Sequence, residues 1–212
     1  MANKSHRIIN GKPKASGGVL FADVTAEFPE TAVAPIPAGY TSGGYVSEDG
    51  VTKSESRDVE GIKDWAGLTV KRSQTGFEVT FAFQFLEYLN PDAARTIYGD
   101  DAVTVEPATV EHGAQMRVAV TAAEAPHKRW IFDMADGLAH LRVLVPDAQV
   151  SETGDTPYTV ADGAVRDVTL YAFPDEDGVF VYELSDDGRK VPVVTEQTVA
   201  AAAAEATGTA SK

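Results

Sequence analysis

The clearest hydrophobic pattern in the chain is a strict alternation over residues 77–86. Phenylalanine or valine occupies every odd position from Phe77 to Phe85, while most even positions carry polar or small side chains. This two-residue period places the aromatic side chains on one face of a β-strand. The pattern therefore predicts a long and central strand. Shorter patterns predict further strands at residues 68–72, 116–120, 130–134 and 179–183, and one buried on both faces at 138–145.

Turn signals separate these segments. Asp-Gly sequences, which tolerate the positive backbone angles of tight turns, end the segments 47–50, 135–137, 175–178 and 186–188. The second and the last of these predict hairpins.

One internal helix is also signalled. Asn90 is a favourable N-cap, Pro91 suits the first helical position, and Gly99 is a stop signal, so we expect a helix over residues 90–98. A helix this short depends on packing rather than on helix propensity. Three apolar side chains are expected to anchor it on the sheet: Leu89, Ile97 and Tyr98.

Several short strands with one short helix predict a mainly β protein, either a β-sandwich or a partial barrel flanked by that helix. We assign this domain to residues 15–194. Residues 1–14 form an extended N-terminal arm, and residues 195–212 form an alanine-rich C-terminal tail. An isolated helix of the tail's length is marginal in water, so we expect the tail to be disordered unless a partner binds it.

Charge is distributed unevenly along the chain, whose net charge is −14. Residues 1–14 hold four of the 18 basic residues and no acid, which leaves 14 basic against 32 acidic residues, a charge of −18, in residues 15–212. A strongly acidic body repels nucleic acid phosphates and makes specific binding through a basic patch unfavourable. The basic arm is either an intermolecular clasp or a solvated tail. Its basic residues are Lys4, Arg7, Lys12 and Lys14.

The residues of catalytic and cofactor sites are scattered or missing. The chain has no cysteine, its four histidines match no metal-binding motif, and no phosphate-binding glycine loop is present. The acidic clusters at 100–101 and 175–177 match no calcium-loop spacing and are typical of solvated turns. No segment approaches the ~20 apolar residues of a membrane span. We therefore expect no enzyme, no metal, no cofactor and no membrane partner.

The order of several short motifs resembles a known family. Gly-Tyr-Val-Ser-Glu-Asp-Gly begins at Gly44, Ile-Lys-Asp-Trp-Ala-Gly begins at Ile62, the alternating strand ends in Glu87, and the helix closes on Tyr98-Gly99. Over residues 40–101 this arrangement resembles the major tail protein, or tail tube protein, of siphophages that infect actinobacteria. Ala66 departs from that pattern, because a glycine is usual after the tryptophan.

The resemblance implies a structural protein whose copies close into hexameric rings, which stack into a tube that conducts DNA without binding it specifically. It implies a place in the virion tail, and in the host cytoplasm before assembly. The partners it implies are further copies of the chain, a tape measure protein, a tail terminator and a distal tail protein. A tube subunit of a bacterial contractile secretion system is one alternative, and a β-sandwich carbohydrate-active enzyme with two facing carboxylates is another.

Two sets of residues are candidates for function. The first is a long polar loop over residues 47–64, expected to contact the next ring, since long ordered loops in compact domains are usually functional. Its members are Ser47, Glu48, Asp49, Lys53, Glu55, Arg57, Asp58, Glu60, Lys63 and Asp64. The second set, on the polar face of the long strand, either lines the lumen or faces outer solvent: Glu78, Thr80 and Gln84.

Overall fold

The computed structural model describes residues 8–14, 17–160 and 163–190. Within them the chain forms ten β-strands, one α-helix and a short 3-10 helix at Asp100–Ala102. The strands are β1 Val19–Ala22, β2 Thr41–Ser42, β3 Thr52–Lys63, β4 Thr69–Phe85, β5 Val103–Glu106, β6 Gln115–Val118, β7 Lys128–Asp136, β8 Ala139–Glu152, β9 Arg166–Phe173 and β10 Tyr182–Asp186. The helix, α1, spans Pro91–Tyr98. The prediction of a mainly β protein with one short helix is confirmed.

The strands form one large antiparallel sheet and a separate two-stranded sheet of β5 and β6. The large sheet has the order β2-β1-β7-β8-β9-β4-β3, and β10 also pairs with β8. The first half of β8 pairs with β7 on one edge and β10 on the other, and its second half pairs with β9. Gly137 lies in the tight turn between β7 and β8, as the Asp-Gly signal predicts. β10 begins later than its sequence pattern indicates, at Tyr182.

The core lies inside a curl of the large sheet. Strands β4 and β7 are separated by β8 and β9 in the sheet order, yet their inward side chains touch. The ring of Phe81 stacks on Phe132 with centroids 4.9 Å apart, and Phe83 meets Trp130 edge-on at 5.9 Å. Aromatic packing of this kind gives a large apolar burial together with a specific geometry. The sheet is therefore bent into a partial barrel, one of the two architectures that the sequence leaves open.

The helix is held by its cap and by its buried face. The Asn90 side chain accepts hydrogen bonds from the backbone N–H of Asp92 and of Ala93 at 3.0 and 3.3 Å. Ile97 is buried, and Tyr98 packs against the core, as expected. Leu89 is not an anchor: its side chain is 81% exposed, because it lies before the N-cap, outside the helical face that meets the sheet. That prediction was wrong.

A buried ion pair joins β7 to β8 behind the core. Asp133 and Arg142 are cross-strand partners, and the guanidinium donates to both carboxylate oxygens at 3.2 and 3.1 Å. Arg142 also donates to the backbone oxygens of Thr31 and Ala34. The proline-bearing connector 24–38 between β1 and β2 is fastened to the sheet by two arginines, because Arg129 of β7 also donates to the backbone oxygen of Ala26 and lies 4.8 Å from the centroid of the Phe28 ring.

The described part of the N-terminal arm contacts the body of its own chain. Pro13 forms a β-bridge with Met134, while Lys12 and Lys14 make ion pairs with Asp136 and Asp133. These two lysines are thus engaged within the subunit rather than presented to a neighbour. Lys4, Arg7 and the tail at 195–212 lie outside the described residues.

Candidate functional site

The most prominent surface feature is a hairpin formed by β3 and β4. The two strands pair from Thr52–Ala82 at the root to Lys63–Thr69 at the tip, so the segment predicted as a loop is a β-strand from Thr52 onwards. The loop prediction was wrong because β3 is exposed along its whole length and shows no apolar alternation. Its strand conformation is set by the backbone ladder to β4 rather than by burial of its own side chains.

The structure divides the predicted contact residues between both faces and both ends of this hairpin. Ser47, Glu48 and Asp49 lie in the turn before β3. The register with β4 places Lys53, Glu55 and Arg57 on the same face as the core aromatics, and Asp58 on the opposite face. Glu60 and Lys63 lie on the distal part of β3, and Asp64 begins the tip turn.

The root of the hairpin is fastened to β10. The Lys53 ammonium donates to Glu183 at 2.6 Å and lies 2.8 Å from the Glu55 carboxylate. Partial burial disfavours the charged lysine, but hydrogen bonds to Glu183 and Glu55 outweigh it and raise the pKa of Lys53. The Arg57 guanidinium stacks 4.5 Å from the centroid of the Phe77 ring. Glu183 belongs to no motif in the sequence, so this contact emerges only from the fold.

The tip of the hairpin is an ordered turn. Asp64 accepts a hydrogen bond from the Leu68 N–H on its side chain at 2.8 Å, and one from the Gly67 N–H on its carbonyl at 3.0 Å. Gly67 has a φ of 85°, which a residue with a side chain rarely adopts. This geometry presents Trp65 to solvent with its side chain fully exposed. An Asp-x-x-Gly turn between two polar runs was the signal that could have revealed the hairpin.

Apolar side chains cluster on the distal hairpin. The exposed large hydrophobic residues there are Val59, Ile62, Trp65, Leu68 and Val70. Val59 and Ile62 lie three residues apart in β3 and so on opposite faces of the hairpin, which places apolar side chains on both faces and at the tip. The hairpin projects these side chains away from the core, which suits a contact with another protein.

The predicted lumen residues share the sheet face that points away from the core. Glu78 is exposed, Thr80 and Gln84 are half-buried, and the Gln84 amide donates to Asp167 of β9 at 3.3 Å. Their neighbours on this face are small, polar or acidic, with one tyrosine and no lysine or arginine: Thr52, Ser54, Ser56, Asp58, Ala82, Asp167, Thr169 and Tyr171.

Both strands of the hairpin have unpaired edges. Within the part of the chain that the structure describes, β4 pairs with β9 only from Thr80 onwards, so its distal half has β3 as its one partner strand there. The outer edge of β3 has no partner strand among the described residues. Such edges expose backbone N–H and C=O groups that can pair with another chain.

The part of the chain that the structure describes holds no group of three potential metal-ligating side chains. It also contains no helix long and apolar enough to span a bilayer. The Nδ1 of His127 lies 2.8 Å from a carboxylate oxygen of Asp147, at hydrogen-bond distance on an exposed face. His140 is a strand residue of β8.

Comparisons with known proteins place the chain in a family. A family model described as phage tail tube protein matches residues 1–195. No curated protein matches the sequence significantly.

Among solved structures, the anti-feeding prophage tube-terminating cap aligns at 9% identity and a TM-score of 0.43, covering 88% of this chain and 100% of that one. A sheath-tube complex of an extracellular contractile injection system aligns at 10% identity and a TM-score of 0.38, covering 87% and 100%. Those scores are too low to bear on function, whereas the family model spans most of the sequence. The chain therefore belongs to the phage tail tube protein family.

Proposed function

We propose that this protein is a non-enzymatic structural subunit whose copies close into hexameric rings, which stack into the tail tube of a siphophage infecting an actinobacterium. Family membership supports a tail tube subunit. The observation that carries the assembly proposal is the long exposed hairpin, with its unpaired edges and its apolar tip. A monomer gains nothing from projecting these groups into solvent.

Ring closure uses the unpaired strand edges. The distal half of β4 and the outer edge of β3 each offer a row of backbone donors and acceptors. In a closed ring every subunit presents the same two surfaces to its neighbours, so these two hairpin edges are satisfied in every subunit and no longer promote aggregation.

Contact between rings uses the distal hairpin and the turn before it. Charged residues supply polar contacts at both ends of the hairpin: Asp58, Glu60, Lys63 and Asp64 lie between its middle and its tip, and Glu48 and Asp49 lie in the turn before its root. Lys53, Glu55 and Arg57 act at the root, where they hold the hairpin at a defined angle to the body.

The lumen is lined by the outward sheet face that carries Glu78, Thr80 and Gln84. Around Glu78, Thr80 and Gln84 the paired side chains are small, polar or acidic and offer phosphates no cation, so DNA slides past them without specific contacts. The net charge of −14 is consistent with this role.

In the assembled tail the tube would meet a tape measure protein, a tail terminator and a distal tail protein. Before assembly the subunit resides in the host cytoplasm.

Electron microscopy of the purified protein tests the proposal directly. We expect six-fold rings or tubes, either spontaneously or after addition of a tail-initiating complex, and the same protein in purified virions. A tube of another rotational symmetry would contradict the hexamer. Particles that stay monomeric under all these conditions would contradict the assembly proposal itself.

Charge reversal at Glu78 tests the lumen assignment. In phage carrying the Glu78→Lys subunit, tubes should assemble, because the side chain is exposed, but DNA release should slow as a cation in every subunit attracts the phosphates. The defect should weaken in high salt, where the Debye length falls to about 3 Å at 1 M. Ejection is measured as DNA release over time.

The matched control is Glu111→Lys, which makes the same charge change at an exposed residue between β5 and β6, away from the outward sheet face. It should leave ejection unchanged. Equal ejection rates for both variants in low salt would show that Glu78 does not face the DNA.

A further inference from the structure

A second exposed apolar cluster lies at the end of β4 opposite to the hairpin tip. Tyr45 and Leu89 are 74% and 81% exposed, and Leu86 is 46% exposed. The Leu86 N–H donates to the carbonyl oxygen of Tyr45 at 2.9 Å, which brings Tyr45 and Leu86 side by side just after β4 ends. None of these three residues takes part in the core.

A groove of 370 Å³ adjoins this cluster. Its walls come from the N-terminal segment, from the chain around β2 and from Glu87: Pro13, Lys14, Gly17, Gly18, Ser42, Gly44, Tyr45, Val46 and Glu87. Small residues keep it open. A side chain at Gly44 would place its Cβ 2.3 Å from the carboxyl carbon of Glu87, so the backbone and the carboxylate can lie this close only with glycine there.

The two apolar surfaces lie at opposite ends of one strand. β4 contains 17 residues, which at about 3.3 Å per residue separates the hairpin tip from the groove by roughly 50 Å. A protruding surface at one end and a receiving surface at the other is the arrangement of a head-to-tail contact. Identical copies joined in this way form an open stack rather than a closed dimer.

The geometry points to the groove beside Tyr45, Leu86 and Leu89 as the receptor for the Trp65 tip of a copy in the adjacent ring. This inference rests on the proposed tube function and names the surface that receives the hairpin. The occupant is a second copy of this chain, because the tip turn is ordered in advance and the Trp65 side chain is fully exposed in the part of the chain that the structure describes. Each surface carries both charges, Lys63 and Asp64 beside Trp65 and Lys14 and Glu87 on the groove wall, so each cation of one copy can pair with a carboxylate of the other.

The small size of the contact explains why it would act only within rings. A buried tryptophan removes about 150–250 Å² from water, whereas a stable interface buries about 800 Å² on each partner. One tip in one groove is therefore too weak to join two free subunits. Rings present several tips to several grooves at once, and multivalency raises the effective affinity without any new contact.

Site-directed cross-linking tests this inference cleanly, because the chain has no cysteine. Leu68→Cys, beside Trp65, is combined in turn with Tyr45→Cys, Leu86→Cys or Leu89→Cys, and assembled tubes are treated with a short bis-maleimide. At least one pair should give a ladder of covalent multimers on a denaturing gel. The control pair combines Leu68→Cys with Val110→Cys, which is fully exposed in the segment between β5 and β6, and should give no ladder.

The possible outcomes separate the two proposals. Tubes in which a receptor pair cross-links and the control pair does not support the inference. Tubes in which none of the three receptor pairs cross-links overturn the receptor assignment and leave the tube function standing. Failure of the unmodified protein to form tubes under any condition counts against the proposed function, and the receptor falls with it.

Discussion

Removal of the distal half of the β3–β4 hairpin is expected to yield a folded subunit that forms no tubes. The variant replaces residues 59–75 by Asn-Gly, which joins the paired residues Asp58 and Gly76 through a two-residue turn. The deleted residues are all exposed and contribute nothing to the core, so the melting temperature should stay close to that of the parent. The apolar tip and most of the free strand edge are lost, and with them the contacts proposed for assembly.

Tubes are counted by negative-stain electron microscopy, and folding is checked by circular dichroism and thermal melting. A matched control shortens the segment between β5 and β6 by removing residues 108–112, which include the exposed Val110. That variant should assemble normally. Tubes of normal length from the hairpin variant would show that the hairpin is dispensable and would remove the main support for its role between rings.

Truncation of Arg142 is expected to produce the largest loss of stability among single substitutions. Its guanidinium is fully buried, pairs with both oxygens of Asp133 and donates to Thr31 and Ala34. Arg142→Ala leaves the Asp133 carboxylate buried with only the partly exposed Lys14 as a charged partner. Removing one member of a buried pair typically costs about 3–5 kcal/mol. The free energy of unfolding is measured by urea denaturation at neutral pH.

Lys12→Ala is the control, because it breaks an ion pair of the same N-terminal region at an exposed position. Exposed pairs contribute about 0–1 kcal/mol, so Arg142→Ala should lower the free energy of unfolding severalfold more than Lys12→Ala does. An Arg142→Ala loss as small as that of Lys12→Ala would mean that water or the connector 24–38 replaces the guanidinium without cost. In that event the connector would not depend on this side chain for its position.

Local patterns in the sequence were sufficient for those elements that local interactions specify. The helix begins at Pro91 and ends at Tyr98 because its cap and stop signals act within a few residues of the chain. The alternation from Phe77 to Phe85 identified a long strand because one of its faces is buried in the core, but its position next to the edge of the sheet, rather than at the centre, was not predicted. The turn between β7 and β8 followed from its Asp-Gly sequence because a turn signal also acts within a few residues of the chain.

Elements that depend on distant partners were not predictable in this way. β3 has the composition of a loop, and it is a strand because β4 supplies a ladder of backbone hydrogen bonds, which leaves no mark on the side-chain pattern. Leu89 reads as an anchor in the sequence but lies on the surface, since the direction of the chain before the helix determines where it points.

The sequence by itself determined a mainly β subunit with a long aromatic strand, one capped helix, an acidic body and a motif order typical of tail tube proteins. Only the tertiary structure decided that residues 52–85 form a projecting hairpin, that Asp133 and Arg142 meet in the interior, and that apolar surfaces lie at both ends of β4. The physical reason is the distance along the sequence over which each interaction acts. Periodicity and capping act over a few neighbouring residues, whereas strand pairing, buried charge pairs and exposed patches depend on which distant segments the fold brings together.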